Sequence, residues 1–320
     1  MTDQYFVLAL AGGVGGGKFC RGLAAVLPPE RLVIAVNTAD DFVHLGLHIS
    51  PDVDSVLYAL ADLNDIERGW GLAGETWNFM AALKRLGGET WFKLGDRDLA
   101  THVLRTEALD KGRTLSDVTA MLARRLGIAH AVVPMSDDPV RSIVETDEGA
   151  LDFQDYFVRR QCKPEFRGVT FRGVAKAKPT EAFRQALGRA RAIVITPSNP
   201  LVSIDPILAL TEVGDALRQS RQAVVAVSPI VGGKAIKGPL GKMMSELGIE
   251  PSALGVARHY GNLVGGWVID SVDRDLAPAI EALGCRVNVC NTIMRTLDDK
   301  RRLAQDAVGF AFELAREPVE

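Results

Sequence analysis

The chain has 320 residues, of which 47% are hydrophobic and 24% charged, with a formal net charge of −3. That is enough for one large α/β domain with an elaboration, or for two domains. Slight acidity, with no polybasic tail and no interleaving of aromatic and basic residues, argues against a nucleic-acid partner. The four cysteines, Cys20, Cys162, Cys285 and Cys290, form no CxxC pair, which removes the usual zinc and redox signatures and suits a reducing compartment. No charged n-region precedes an apolar segment near the start, and Phe6 to Ala11 is too short to span a bilayer. A cytoplasmic protein with no membrane contact is expected.

The first apolar run, Phe6 to Leu10, breaks into Gly12-Gly13-Val14-Gly15-Gly16-Gly17-Lys18 and resumes as a helix-like segment from Phe19 to Leu27, ended by Pro28-Pro29. A second buried-strand run, Leu32 to Val36, stops at Asn37-Thr38-Ala39-Asp40-Asp41. This is a βαβ unit. A glycine-rich turn between strand and helix lets backbone amides approach a phosphate at the positive helix end. Gly12, Gly13, Gly15, Gly16 and Lys18 are therefore the phosphate candidates. The second strand delivers Asn37, Asp40 and Asp41 to the same rim, where open α/β sheets bind ligands. Phosphate plus a divalent metal follows, with Mg2+ on Asp40 and Asp41. The spacing GxxxxGK fits Gly12 to Lys18, but Phe19 stands where a Walker loop needs a Ser or Thr hydroxyl, and GxGxxG fits at neither Gly13 nor Gly15.

Further along, Phe42 to Ile49 carries His44 and His48 four apart near Asp41, a pair to weigh as metal ligands although no helical pattern supports them. Ser50-Pro51-Asp52 is a helix start signal for Val53 to Leu63. Arg68-Gly69-Trp70-Gly71 makes a turn, and Glu75 to Leu86 is amphipathic. Trp91-Phe92-Lys93-Leu94-Gly95-Asp96-Arg97-Asp98 sets an aromatic pair beside fixed charge, which suits a flat heterocycle or, equally, a hydrophobic anchor beside a solvated turn. A helix over Thr114 to Leu126, a strand at Ala131 to Met135, a hairpin over Arg141 to Val158 and an edge at Val169 to Phe171 complete an α+β region over residues 45–175.

The parallel rhythm then returns. Ala192 to Thr196 ends at Pro197-Ser198-Asn199-Pro200, and Ala223 to Val227 ends at Ser228-Pro229, followed by Gly232-Gly233-Lys234 and Lys237-Gly238-Pro239. Ser198, Asn199, Ser228, Gly232 and Gly233 thus join the phosphate and nucleotide candidates at strand ends. Val256 to Tyr260, Trp267 to Asp270 and Arg286 to Asn291 read as short strands, with helices at Asp275 to Leu283 and Lys300 to Ala315. The expected fold is α/β: a Rossmann-like, doubly wound, mainly parallel sheet formed by residues 1–44 and 176–320, with residues 45–175 as an inserted α+β elaboration.

These stretches together resemble the 2-phospho-L-lactate transferases of deazaflavin coenzyme F-420 biosynthesis. The likeness runs nearly end to end: the glycine loop with Lys18, Asn37-Thr38-Ala39-Asp40-Asp41, Pro51-Asp52-Val53-Asp54 with Leu57-Tyr58, Leu94 to Asp98, Pro134 to Val140, Phe153-Gln154, Pro197 to Pro200 with Ser203-Ile204, and Val227 to Ile230. Each motif is weak alone; eight in order are strong. The resemblance implies transfer of a phosphate-bearing three-carbon acid from a guanosine diphospho-conjugate to the ribityl hydroxyl of the deazaflavin Fo, with release of GMP. It implies that Asp54 and Lys93 contact the deazaflavin, that Lys18 and the glycines lie near the diphosphate, that a guanylyltransferase supplies the donor, and that the protein is a homodimer. One of Asp40, Asp41 or Asp54 would serve as base. Gly15 to Gly17 stand where other members can carry bulkier residues, which leaves lactate, enolpyruvate and glycerate open as the acid. A second reading is a non-catalytic nucleotide-sugar-binding regulator of the related gluconeogenesis-factor type, which shares the glycine loop and paired aspartates but has a glycine-serine run where Phe42-Val43-His44-Leu45 stands here.

Overall fold

Strands β1 (Val7–Ala11) and β2 (Leu32–Val36) are buried almost throughout, as their uninterrupted apolar sequences VLALA and LVIAV require of strands covered on both faces. The computed structural model describes residues 6–236 and 238–316, so Lys237 lies outside the described residues. Helix α1 (Gly13–Val26) joins β1 to β2. The chain continues through the hairpin β3 (Phe42–His44) and β4 (Leu47–Ile49) to helices α2 (Pro51–Leu60), α3 (Asn78–Arg85), α4 (Asp98–Asp110) and α5 (Leu115–Arg125). Next come β5 (Ala131–Pro134), β6 (Arg141–Thr146), β7 (Gly149–Asp152), β8 (Phe166–Arg172), α6 (Glu181–Arg189) and β9 (Ala192–Ile195). The last part runs through α7 (Asp205–Leu208), α8 (Thr211–Gln219), β10 (Val224–Val227), the short pair β11 (Ile230–Val231) and β12 (Lys234–Ala235), α9 (Leu240–Glu246), α10 (Ala253–Tyr260), β13 (Gly266–Asp270), α11 (Ala277–Glu281), β14 (Arg286–Cys290) and α12 (Leu297–Leu314).

Seven strands form one parallel sheet in the order β14-β13-β10-β9-β1-β2-β5. The chain winds outward from β1 through β2 to β5, then returns to the other side of β1 and winds outward through β9, β10, β13 and β14. The order therefore reverses between β1 and β9, the place where doubly wound sheets open a ligand crevice. Alternate β1 residues feed two cores. Leu8 and Leu10 pack with Phe183, Tyr260 and Trp267 on one face, while Val7, Ala9 and Ala11 pack with Phe19, Val53, Leu122 and Leu303 on the other. The α/β fold is as expected.

Three expectations are corrected, and the pairing of His44 with His48 is decided. Residues 45–175 supply the antiparallel sheet β7-β6-β8, but also β5, which pairs with β2 as an edge of the main sheet. Helix α1 starts at Gly13 instead of Phe19, so the glycine run is its first turns. Val256 to Tyr260 is helical within α10, where Ser252 caps the helix by accepting the Gly255 amide at 3.0 Å. His44 and His48 lie on hairpin strands where Val43 pairs with His48 and His44 with Leu47, which puts the two imidazoles on opposite faces. Among the described residues no group of three or more His, Cys, Asp or Glu is placed to hold a metal ion, and no helix is long and apolar enough to cross a membrane.

Candidate active site

A cleft of about 940 Å3 opens over the carboxyl ends of the parallel strands, at the β1/β9 reversal. Its floor is fixed by a lock between the two strand ends. Ser198 Oγ accepts the Gly12 amide at 3.2 Å and donates to the Gly12 carbonyl at 2.7 Å, and Thr196 Oγ1 lies 2.8 Å away. Gly13 has φ +62°, a left-handed conformation that a side chain resists. The glycines that follow are there for closeness: a Cβ on Gly15 would stand 2.4 Å from the Pro197 carbonyl, on Gly16 2.6 Å from Ser198 Oγ, and on Gly17 2.9 Å from the Ser55 carbonyl. Each glycine costs the helix on the order of 1 kcal/mol of propensity. The contacts with the β9 loop and α2 that only a bare Cα permits outweigh that cost.

Of the expected phosphate and nucleotide residues, Gly12, Gly13, Gly15, Lys18, Ser198, Asn199 and Ser228 line the cleft. Gly16 does not, being packed beneath it on Ser198 and Thr196. Gly232 and Gly233 do not line it either: they form the exposed β11–β12 turn, where the Gly232 amide donates to Asp273 at 3.0 and 3.1 Å. Helix α1 has no acidic residue in its first turn, and the Asp52 carboxylate lies beside Gly12 and Gly13. The amides of Val14 and Gly15, with no intrahelical partner, remain at the positive helix end for an anion.

The two adjacent aspartates part company. Asp40 lines the cleft, 4% exposed, and its Oδ1 has no hydrogen-bond partner. Burial and the nearby Asp52 charge push its carboxyl well above the usual carboxylate range. Asp41 is not part of the lining; its Oδ2 accepts the Ser50 hydroxyl at 2.8 Å ahead of α2, and burial pushes it up to about 7. Asp41 thus stands outside the cleft, whereas Asp52, whose charge acts on Asp40, lines it. Asp52 accepts the Asn37 amide at 3.0 Å, and burial raises its carboxyl to about 6. Asn37 is itself held by the Val202 carbonyl at 3.2 Å and by the Ala39 amide at 2.9 Å. Asp40 and Asp52 are two hard oxygen donors whose repulsion a divalent cation would relieve, and one or two carboxylates plus substrate phosphates is how Mg2+ is usually bound.

Asp54 and Lys93 line the same cleft, Lys93 exposed on its rim. Trp91 and Phe92 also line it and pack with His44 and Phe42, the Trp91 and His44 rings 4.9 Å apart. Trp70, 41% exposed, faces the cleft over a turn braced by Arg68, whose guanidinium lies 4.9 Å from the Trp70 ring and 5.1 Å from that of Trp77. Asp54 Oδ1 accepts Arg105, and Asp54 Oδ2 is buried without a hydrogen-bond partner. Burial raises Asp54, opposed chiefly by the Arg105 charge. Sequence reasoning gives no ligand contact to Tyr58, His102, Phe153, Gln154, Phe157 or Thr292 to Arg295 and reads Asp52 only as a helix start, yet all of them line the cleft. The spacings Asp54–Tyr58 and Asp98–His102, four apart on helices, are a usable signal for one shared face.

Residues 7–286 match the family model described as "2-phospho-L-lactate transferase CofD". The chain is 40% identical over 302 residues to the 2-phospho-L-lactate transferase of Methanosarcina mazei, covering 94% of this chain and 99% of that one. It is 39% identical over 314 residues to the phosphoenolpyruvate transferase of Streptomyces griseus, covering 96% and 99%. A crystal structure of a UPF0052 family protein from Bacillus halodurans shares the fold, with a TM-score of 0.61 at 15% identity over 93% of this chain and 97% of that one. The regulator reading is thereby set aside in favour of an enzyme. Spanned almost completely by curated transferases and by their family model, the chain belongs to the 2-phospho-L-lactate transferase family.

Proposed function

We propose that the protein transfers a phosphorylated three-carbon acid, phospholactyl, phosphoenolpyruvyl or phosphoglyceryl, from a guanosine diphospho-conjugate to the ribityl hydroxyl of the deazaflavin Fo, releasing GMP in coenzyme F-420 biosynthesis. One observation supports this most: a single cleft holds the α1 amides and Lys18 together with Asp54, Lys93 and the Trp70, Trp91 and Phe92 rings. Anion-recognising groups and a site for a flat heterocycle in one cavity suit two substrates that must meet.

The acceptor hydroxyl oxygen attacks the phosphorus that carries the acid. The bond from that phosphorus to the bridging oxygen breaks, and GMP departs with the oxygen. The Val14 and Gly15 amides and Lys18 stabilise the charge that builds on the phosphate oxygens. Mg2+, held by Asp40 and Asp52, would neutralise the diphosphate when bound. Asp54 Oδ2 takes up the hydroxyl hydrogen, being the unpartnered carboxylate oxygen on the acceptor side. Relatives with nearly equal identity bear names for two different acids, so overall similarity does not choose between them.

Two assays test the reading. Fluorescence titration with Fo should saturate, and GMP should appear with a guanosine donor. Equal turnover of an adenosine donor would overturn the guanosine assignment, and an unchanged Fo signal would overturn the acceptor.

A further inference from the structure

Helices α2 and α4 face one another with a ladder of buried polar groups. Asp54 and Tyr58 come from α2, and Asp98, His102 and Arg105 from α4, none more than 9% exposed. Tyr58 donates to Asp98, and Arg105 Nη2 donates to Asp54 Oδ1. Arg105 Nη1 lies 3.2 Å from His102 Nδ1 and donates to the His48 carbonyl at 3.3 Å. His102 Nε2 faces Asp98 Oδ2 at 3.3 Å.

An arginine facing a carboxylate ordinarily takes both oxygens in a two-pronged pair. Here it takes one. The Nη1 prong is engaged by two acceptors, the His48 carbonyl on β4 and the His102 ring, and Nε makes no hydrogen bond; Asp54 Oδ2 has no hydrogen-bond partner and lies 3.7 Å from His102 Nδ1. Arginine has donors only, so its contact with His102 requires Nδ1 to be the accepting nitrogen, which leaves the ring hydrogen on Nε2, toward Asp98. Asp98 Oδ2 stands 3.3 Å from that nitrogen without making a hydrogen bond to it. A buried oxygen without a donor is unfavourable unless a donor arrives, and Asp54 lines the cleft.

We propose that His102 and Arg105 are positioning residues for the acceptor: His102 draws Arg105 Nη1 away from Asp54, keeping Asp54 Oδ2 open to a hydroxyl or N–H donor of the incoming substrate. The proposal rests on the reading of Asp54 as an acceptor-side residue. Arg105 does not line the cleft, so it acts through Asp54. Without His102 Nδ1, one Arg105 Nη1 hydrogen loses its acceptor and can close the second prong on Oδ2 while the other stays on the His48 carbonyl, and the substrate loses its partner.

Two substitutions separate the two links of the imidazole. His102→Asn places an amide oxygen near the Nδ1 position and keeps an acceptor for Arg105. His102→Gln reaches the Nε2 position and keeps a donor for Asp98 but offers Arg105 nothing at Nδ1. Affinity for Fo is read by fluorescence and affinity for GDP by calorimetry, first in the unaltered protein. His102→Gln should weaken Fo binding about tenfold while His102→Asn stays within about threefold, the scale of one hydrogen bond left unmade. GDP affinity should be unchanged in both. Equal effects of the two variants, the reverse order, or a parallel loss of GDP affinity would overturn the proposal and mark the ladder as scaffolding. No Fo binding by the unaltered protein would instead overturn the acceptor reading, and the proposal with it.

Discussion

Ser198 and Gly12 hold each other by two hydrogen bonds, the hydroxyl accepting the amide at 3.2 Å and donating to the carbonyl at 2.7 Å, so the ends of β9 and β1 are tied where the strand order reverses. Gly16 packs directly on this lock, and a Cβ there would stand 2.6 Å from Ser198 Oγ. Gly16→Ala should therefore destabilise the fold by about 1–3 kcal/mol, the usual cost of overpacking a tight core. It should also weaken GDP binding, because the displaced hydroxyl anchors the donor loop. Denaturant unfolding and calorimetry check both.

Asp40 and Asp52 line the cleft while Asp41 is bonded to Ser50, so the acidic residues should separate by kinetics. Asp40→Asn and Asp52→Asn should each lower the transfer rate about 10²-fold, the scale of removing one group that stabilises charge developing in the transition state. Asp41→Asn should retain most of the rate, since its amide oxygen can still accept the Ser50 hydroxyl. Rates across a Mg2+ titration decide; an Asp41→Asn defect as deep as that of Asp40→Asn would return the metal to the adjacent pair.

Lys93 is exposed, whereas Asp54 is 5% exposed. Solvent screens the lysine, so Lys93→Ala should weaken Fo binding by only about 1 kcal/mol or less. Asp54→Asn should weaken it more. Asp54→Ala is the poorer probe, since stranding the Arg105 charge in the core would cost about 3–5 kcal/mol of stability. Fluorescence titration beside denaturant unfolding distinguishes impaired binding from impaired folding.

His259 and Asp205 meet at 2.8 Å, fastening α10 to the start of α7. Burial alone would lower the imidazole, but the Asp205 hydrogen bond and charge prevail and raise it above its ordinary value. A raised histidine contributes stability that is fully present below its unfolded pKa and lost as pH rises through the folded one. The stability gap between the unaltered protein and His259→Gln should thus be widest at or below about pH 6 and shrink as pH rises through the raised folded value. Urea midpoints across that range test the sign; a gap that widens with pH would contradict it.

Much of the fold is legible because strands covered on both faces are written as unbroken apolar runs, as in Val7–Ala11 and Leu32–Val36. The glycine run reads as a loop because helix propensity is local, while the reasons for helical glycines here, the Pro197 and Ser55 carbonyls, are distant in sequence. Asp40 and Asp41 cannot be told apart in sequence for a related reason: adjacent side chains after a strand diverge, and only the Ser50 hydroxyl shows which one turns inward. Asp52 stands inside the Pro51-Asp52-Val53-Asp54 motif yet gains its place from the Asn37 side chain and its closeness to Gly12, contacts that form only when α2 lies across the end of α1. The face shared by Asp98, His102 and Arg105 follows from helical spacing alone; its partner Asp54 does not.

The transfer itself is tested most directly by mass spectrometry of Fo after incubation with the purified protein, Mg2+ and each guanosine diphospho-linked three-carbon acid in turn. The expected result is an acceptor heavier by one phospho-acid residue, with an equal amount of GMP, for at least one donor. Unchanged Fo with every donor, in a protein that binds both Fo and GDP, would contradict it.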